Sequence, residues 1–437
     1  MVKLSTISKT DLLKFGKKFS LSLITTMLLS GCVSTKKTIS RTTTKKLASE
    51  VFQNHYAGFI VYNPESKEVV YEHNSQKYFT PASNTKIFTL YASLKLLPKF
   101  SPALKYSYKN DSTYIQGTGN PTLLHSYFKD TSTINFLKGQ RNIVLHLSNF
   151  TSDRFGAGWA WEDYDTYYSP ELSGFPLYGN VLTAFQTDSL VLYPNYFREN
   201  ISYKPNAFKR DIVSNTFYLN PVLKDTLEIP FKIDQPLIKE LLEKELGKNI
   251  TISKVMPAAE TNTLYSVATD SIAQRMMYES DNFLAEQLLL LSSSTLSDTL
   301  NTKKVIQHVL DSILTDLKQK PRWVDGSGLS RYNLFTPESF VQVLDKLYTE
   351  IPKERLLSLF PAGGVSGTLK NWYKGKATPY IFAKSGSLGN NYCLSGYLIA
   401  NSGKTLIFSF MNNHFMHSSS AIKLEMQQLL EMIRDTY

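Results

Sequence analysis

The 437 residues read as an α/β protein in which segments of helix and strand at both ends bracket a strand-rich insertion. Three observations predict this. A strand pair followed at once by an amphipathic helix occupies Ala57 to Leu97. Three strands and a terminal helix close the chain from Tyr380 onward. Between them, over residues 101–261, helical spacing gives way to short apolar runs separated by Asn, Pro, Gly and aromatic residues. At 42% hydrophobic and 13% aromatic the chain can bury a large core, which excludes global disorder, and its length suits two or three domains.

The N-terminus predicts targeting rather than fold. Lys3, Lys9, Lys14, Lys17 and Lys18 form a basic region ahead of FSLSLITTMLLSGC, Phe19 to Cys32. The apolar part falls short of the roughly 20 residues of a spanning helix and fits a signal h-region. Leu29-Ser30-Gly31-Cys32 resembles the lipobox of bacterial lipoproteins, in which cleavage precedes the cysteine and that cysteine takes the lipid. On this reading residues 1–31 are a lipoprotein signal peptide and Cys32 is the lipidation site; the alternative is an ordinary export signal with an incidental cysteine. The other cysteine, Cys393, lies in the apolar run Tyr392 to Ile399 and reads as a packed core residue. Lipidation of Cys32 therefore leaves no intrachain disulfide. Val33 to Lys46 is polar and basic, so residues 32–48 are expected to form a flexible tether. The first 31 residues hold five lysines and one aspartate, which leaves +7 of the net charge of +11 for the rest. That balance suits an anionic polymer or surface. No basic stripe interleaved with aromatics and no nucleic-acid module is present, which argues against nucleic acid as a partner.

After the tether, AGFIVYNPESKEVVYEHNSQKYF (Ala57 to Phe79) predicts two strands around the turn Asn63-Pro64-Glu65-Ser66. In PASNTKIFTLYASLKLL (Pro81 to Leu97), Ile87, Leu90, Tyr91, Leu94 and Leu97 recur at the intervals of a buried helix face, and Pro81 suits a first turn. Within 101–261, IVLHL (Ile143 to Leu147) predicts a short strand, GTGNPTL (Gly117 to Leu123) a turn, and Trp159 to Asn180 an aromatic-packed loop. Residues 235–246 predict a helix ended by Gly247. Helical spacing returns from Asp270 to Leu291, and Thr336-Pro337-Glu338 marks another helix start. Tyr380 to Phe415 predicts three strands with a hairpin turn at Asn401-Ser402-Gly403-Lys404, before a helix over Ala421 to Ile433. The expected division is one domain from 49–100 and 262–437, with 101–261 as one or more inserted accessory domains.

Three motifs carry chemistry. Ser-x-x-Lys occurs at Ser83–Lys86 but also at Ser34–Lys37, Ser126–Lys129 and Ser420–Lys423, so the pattern alone decides nothing. At residue 83 it opens a buried helix, with hydroxyl and amine on one face and the hydroxyl near the positive end of the helix dipole. Burial lowers a lysine pKa toward that of a useful base. Ser-x-Asn occurs once, at Ser280-Asp281-Asn282 in a helical region, and Lys-Ser-Gly once, at Lys384-Ser385-Gly386 on a strand. In that order the three reproduce the signatures of penicillin-recognising serine acyltransferases. Ser83 is a weak nucleophile that needs a base, and Lys86 serves when neutral, with Lys384 as the second cation that helps depress it. Lys384 and Ser385 suit a substrate's terminal carboxylate, and Gly386 leaves room for its backbone. Ser280 can relay a proton to the departing amine, Asn282 can bond a substrate amide, and the backbone N–H groups of Ser83 and Ser387 are the candidate oxyanion hole.

Other designs fare worse. The histidines, His55, His73, His125, His146, His308, His414 and His417, show no metal-ligand spacing and no HExxH. No Gly-x-Ser-x-Gly elbow is present, and the run Ala362 to Gly367 lacks the ending of a phosphate loop.

With VDGSGLSRYNLFTP (Val324 to Pro337), AGGVSGTL (Ala362 to Leu369), SDNFLAEQLL (Ser280 to Leu289) and GTGNPTL, the sequence resembles the penicillin-binding D-alanyl-D-alanine carboxypeptidases/endopeptidases of the low-molecular-mass class C type, over residues 50 to 433. The resemblance implies a penicillin-binding serine transpeptidase/β-lactamase-like domain, an antiparallel sheet flanked by helices, with an insertion between the first and second motifs. The 193 residues between Lys86 and Ser280 accommodate one. It implies Ser83 as acyl-enzyme nucleophile, Lys86 as base, Ser280 and Asn282 as relay and clamp, and Lys384 and Ser385 as carboxylate site, with no metal or organic cofactor. The implied partners are peptidoglycan stem peptides, β-lactams as acylating inhibitors and, through the lipid, a membrane of the bacterial envelope facing the periplasm. A β-lactamase-like hydrolase and a non-catalytic peptidoglycan-binding protein are the rival readings. Two residues depart from the family pattern: Ser385 stands where threonine is commoner, and Asn120 where aspartate is frequent.

Overall fold

The computed structural model describes residues 35–437, so the expected signal peptide and Cys32 lie outside the described residues. The central sheet is antiparallel, its strands in the order Ile381–Leu388, Asn391–Ile399, Thr405–Asn413, Tyr56–Asn63, Glu68–His73. The last three strands of the chain thus pair with the first two. Both faces of the sheet are covered, which is why Thr405–Asn413 is buried at every position. Side chains alternate between the faces with the two-residue period of a strand. Cys393, Tyr397, Ile407 and Met411 face a helical core, whereas Leu394, Leu398, Phe408 and Phe410 face a second core on the opposite side. Cys393 is fully buried, as its apolar run predicts.

The helical core is threaded by the helix Lys86–Leu96, whose residues 86–93 are all buried. Phe88 anchors it, with ring centroids 5.6, 4.8 and 5.4 Å from Trp323, Phe335 and Phe340. Pro337–Glu350 packs alongside, started by a capping box between Thr336 and Ser339 as the Thr-Pro-Glu signal predicts. The single helical stretch expected from Asp270 to Leu291 is two helices, Thr269–Glu279 and Asn282–Leu296. Between them Ser280 adopts φ 56°, and the Asp281 carboxylate caps the second helix by accepting from Leu284 N–H at 2.9 Å.

The opposite face of the sheet holds a correction. Residues 35–47, expected as part of a flexible tether, are helical. Ile39, Thr43 and Leu47 are buried at four-residue spacing, and Lys46 bonds Gln428 at 2.9 Å and pairs with Glu425 on the helix Ser419–Thr436. Composition misleads here because three small or apolar contacts suffice when the partner surface is already formed by the C-terminal helix.

The insertion has its own core. A mixed sheet runs Ile250–Ser253, Ile143–His146, Ser112–Gly117, Phe100–Lys109, Asn262–Ala268, beside a smaller sheet of Leu227–Pro230, Val181–Gln186 and Leu190–Tyr193. The helix Gln235–Leu246 is capped by Asp234 and stopped by Gly247 at φ 64°. The boundary differs from 101–261, because Asn262–Ala268 pairs with Phe100–Lys109 and so returns the chain inside the insertion sheet. Residues 147–180 are irregular apart from short turns, and they reach across to the motif residues.

Candidate active site

Ser83 lies in the tight turn Ala82–Thr85 that leads into the buried helix, with Lys86 as its first residue. Two glycines let other chain segments close on this turn. A Cβ on Gly386 would lie 2.5 Å from Pro81 O and 2.9 Å from the amide nitrogens of Ser83 and Asn84. One on Gly328 (φ 82°) would lie 1.9 Å from Ala82 O. Gly386 is therefore required by the turn that carries Ser83, and not only by an approaching substrate as its motif suggests.

Lys86 Nζ lies 3.0 Å from Ser83 Oγ, 2.7 Å from Asn282 Oδ1 and 2.7 Å from the Ser327 carbonyl oxygen. A neutral amine has two N–H bonds and one lone pair. Asn282 Oδ1 and Ser327 O can only accept, so they take both N–H bonds and leave the lone pair for the Ser83 hydroxyl. Burial draws Lys86 down to about 8, against the opposing pull of the Asp325, Asp281 and Glu286 carboxylates.

Lys384 is also fully buried and donates to Ser280 Oγ at 2.9 Å and to Ser385 O at 2.7 Å. Burial first, and Lys86 second, hold it well below the ordinary lysine range. The repulsion between the two ammonium groups is reciprocal, and loss of water is the larger cause for each of them.

The strand Ile381–Leu388 is an edge strand, paired only with Asn391–Ile399 in the sheet. Ile381 O and Ala383 N bond residues 361–363 on its outer side, so by the strand period Ser385 and Ser387 also turn their backbone groups outward. Ser83, Ser280, Asn282, Ser385 and Ser387 all line one cleft of about 890 Å³. Thr368, from the Gly-rich run, lines it too and shares a 2.7 Å hydroxyl contact with Ser385.

The motifs alone do not reveal how these groups are held. Asp325 is a buried hub. Its Oδ1 accepts from Gly328 N–H (2.8 Å) and Asn333 Nδ2 (2.6 Å), and its Oδ2 from Ser330 N–H (2.6 Å) and Trp159 Nε1 (2.9 Å). The insertion supports the site at two further points, where Asn282 Nδ2 donates to Tyr168 O at 3.0 Å and Ser330 Oγ to Ala157 O at 2.6 Å. Glu286, one turn beyond Asn282, is buried and drawn up to about 7 by burial and the nearby Asp325. A signal for it exists in the sequence, since it is a lone carboxylate within FLAEQLLLL. Asn120 staples its own turn, donating to Ser101 Oγ and Pro102 O at 3.0 Å each and accepting from Thr122. Among the described residues no group of three or more His, Cys, Asp or Glu side chains is placed to hold a metal ion.

The chain is similar to known proteins over most of its length. Residues 40–189 and 224–435 match the D-Ala-D-Ala carboxypeptidase 3 (S13) family. The chain is 24% identical over 385 residues to the D-alanyl-D-alanine carboxypeptidase DacB of Haemophilus influenzae, covering 74% of this chain and 76% of that one. It is 30% identical over 154 residues to the carboxypeptidase DacB of Mycolicibacterium smegmatis, covering 32% and 33%. The crystal structure of penicillin binding protein 4 (dacB) from Haemophilus influenzae has the same fold, with TM-score 0.68 at 19% identity over 88% of this chain and 97% of that one. With the family match spanning both the flanking domain and most of the insertion, the chain belongs to the S13 family of serine-type D-Ala-D-Ala carboxypeptidases.

Proposed function

We propose that Ser83 attacks the carbonyl of the penultimate D-alanine of a peptidoglycan stem peptide and forms an acyl-enzyme. Lys86 takes the hydroxyl proton as the C–O bond forms, and the C–N bond then breaks. Ser280 passes its proton to the departing D-alanine amine and regains one from Lys384, which donates to its Oγ. Water hydrolyses the ester by the reverse proton path. Lys384 and Ser385 receive the substrate's terminal carboxylate, whose charge restores the protonated form of Lys384 that burial disfavours. Asn282 lines the cleft, Gly386 lets its strand close on the Ser83 turn, and the Ser83 and Ser387 amides stabilise the oxyanion; losing one such donor costs on the order of 3 kcal/mol in acyl transfer. The observation that carries the reading is the Lys86 amine, drawn down to about 8, lying 3.0 Å from Ser83 Oγ with both its N–H bonds engaged elsewhere.

D,D-endopeptidase action on cross-linked stems is the second activity of the same site, since it breaks the same kind of D-alanyl bond through the same Ser83 ester. Penicillins enter as acylating inhibitors. Intact protein incubated with benzylpenicillin is expected to gain one adduct mass that Ser83→Ala abolishes. Stoichiometric labelling of the variant would overturn the assignment. Release of D-alanine from a pentapeptide muropeptide separates a peptidase from a peptidoglycan-binding protein, and persistence of the penicilloyl ester separates it from a β-lactamase.

Cys32 and the segment before it support an envelope protein held by a lipid and facing the periplasm. Helix is already present at residue 35, three positions after Cys32 in the sequence, and three residues of any conformation span at most about 10 Å. A lipid on Cys32 would therefore hold the folded body close to the membrane. Labelling with a palmitate analogue, lost in Cys32→Ala, is the test.

A further inference from the structure

Glu286 touches neither Ser83 nor any other group with a role in the steps above, yet it sits beneath the base. Its Oε1 accepts from Ser327 N–H at 2.8 Å and its Oε2 from Gly326 N–H at 3.0 Å. The carbonyl of the same Ser327 is the one that holds Lys86 Nζ at 2.7 Å. Thr89, on the nucleophile helix, donates to Gly326 O at 2.6 Å. A Cβ on Gly326 would lie 2.7 Å from Ala285 O, so this segment rests directly on the backbone of the Glu286 helix. One helix therefore addresses Lys86 twice, through Asn282 directly and through Glu286 by way of Ser327.

We propose that Glu286 is a positioning residue for the catalytic amine: by clamping the Gly326 and Ser327 amides it fixes the Ser327 carbonyl, which with Asn282 Oδ1 aims the Lys86 lone pair at Ser83. The argument is one of valence. Without Ser327 O in place, one N–H of the amine is free, and the group can rotate its lone pair away from the hydroxyl. The carboxylate type matters because both of its oxygens accept, as two backbone donors require. A glutamine offers one acceptor and turns an NH2 on the other amide. The clamp also sets the proton affinity of Lys86, because the carboxylate is an anion close to the amine; the other charged groups facing Lys86 are Asp325, Asp281 and Lys384. Asp325 is the charged group facing Glu286.

This inference rests on the reading of Lys86 as the base for Ser83. The test compares Glu286→Gln and Glu286→Asp with wild type by benzylpenicillin acylation rate against pH, thermal unfolding, and crystal structures of the variants. Glutamine removes the charge and half of the clamp. Aspartate keeps the charge but is one methylene too short to reach both amides. Both are expected to slow acylation about 10- to 100-fold with unchanged penicillin affinity, in proportion to a displacement of up to about 1 Å at the reacting group. Glutamine alone is expected to move the acid limb of the rate profile to lower pH, since removing an anion weakens proton binding at Lys86. In both variants the Ser327 O to Lys86 Nζ separation is expected to exceed hydrogen-bond distance. Wild-type rates, an unmoved acid limb in Glu286→Gln, or a retained Ser327 contact would each overturn the proposal, whatever the unfolding temperature does. A wild-type protein that penicillin does not acylate would instead overturn the reading of Ser83 and Lys86, and the Ser327 separation in the variant crystals would still decide the positioning role.

Discussion

Replacing Gly386 with alanine tests whether the edge strand and the nucleophile turn must touch. The added Cβ would stand 2.5 Å from Pro81 O, whereas ordinary contact begins at 3.4 Å, so the two must part by about 0.9 Å. All three close neighbours are backbone atoms, of Pro81, Ser83 and Asn84, and no side chain can swing aside. Crowding of this kind costs roughly 1–3 kcal/mol of stability. The same displacement separates Ser83 from Lys384 and Ser385, and a misplacement near 1 Å costs on the order of 100-fold in rate. That corresponds to about 2.7 kcal/mol in the barrier. The assay is the second-order rate of acylation by a fluorescent penicillin, with thermal unfolding measured beside it. Gly139→Ala, whose Cβ would meet nothing within 4 Å, is the matched control. A Gly386→Ala protein acylated at nearly the wild-type rate would refute the requirement for close approach.

Three other perturbations separate the parts of the argument. Because Lys86 is held at about 8 and acts only when neutral, acylation is expected to rise with pH through that value and to fall about tenfold per unit well below it; a flat profile would exclude it as the titrating base. Trp159→Phe removes one donor from the buried Asp325 carboxylate, which should cost about 1–3 kcal/mol in chemical denaturation and slow acylation as the 325–330 loop loosens. Unchanged stability would show that the insertion does not brace that loop. Ile39→Ala should cost about 2–5 kcal/mol, because the residue is fully buried, whereas in a flexible tether it would cost nothing measurable.

What the sequence makes legible follows from the range of the signal. The strands Tyr56–Asn63 and Thr405–Asn413, the Thr336 cap and the Gly247 stop are local patterns, and the structure contains each of them. The three motifs are legible as short local patterns, and the fold brings them together: Lys86 Nζ lies 3.0 Å from Ser83 Oγ, and Lys384 donates to Ser280 Oγ at 2.9 Å. Signals failed where a distant partner decides. Residues 35–47 look unable to order themselves, yet they fold against a helix some 380 residues later in the chain. The break at Ser280 is hidden inside continuous helical spacing, although Asp281 is a good cap residue. How strongly Lys86 and Lys384 are drawn down is not legible either, because burial depth, which dominates both, is not visible in a sequence.

The insertion bears on the last of these points. A segment that only enlarged the cleft could be cut away and leave the chemistry of Ser83 and Lys86 intact. Here Tyr168 O fixes the rotation of the Asn282 carboxamide, and that rotation decides whether Oδ1 or Nδ2 faces Lys86. With Nδ2 toward the amine, two donors would oppose each other, and a lysine N–H would lose its acceptor. Trp159 and Ala157 likewise hold Asp325 and Ser330, which shape the loop that presents Ser327 O. Two of the three groups around the lysine amine are therefore set by contacts made from the insertion or through the loop it braces. The surroundings of the Lys86 amine are a property of the flanking domain and the insertion together, which is why the motifs locate the cleft without specifying how the proposed base is aimed.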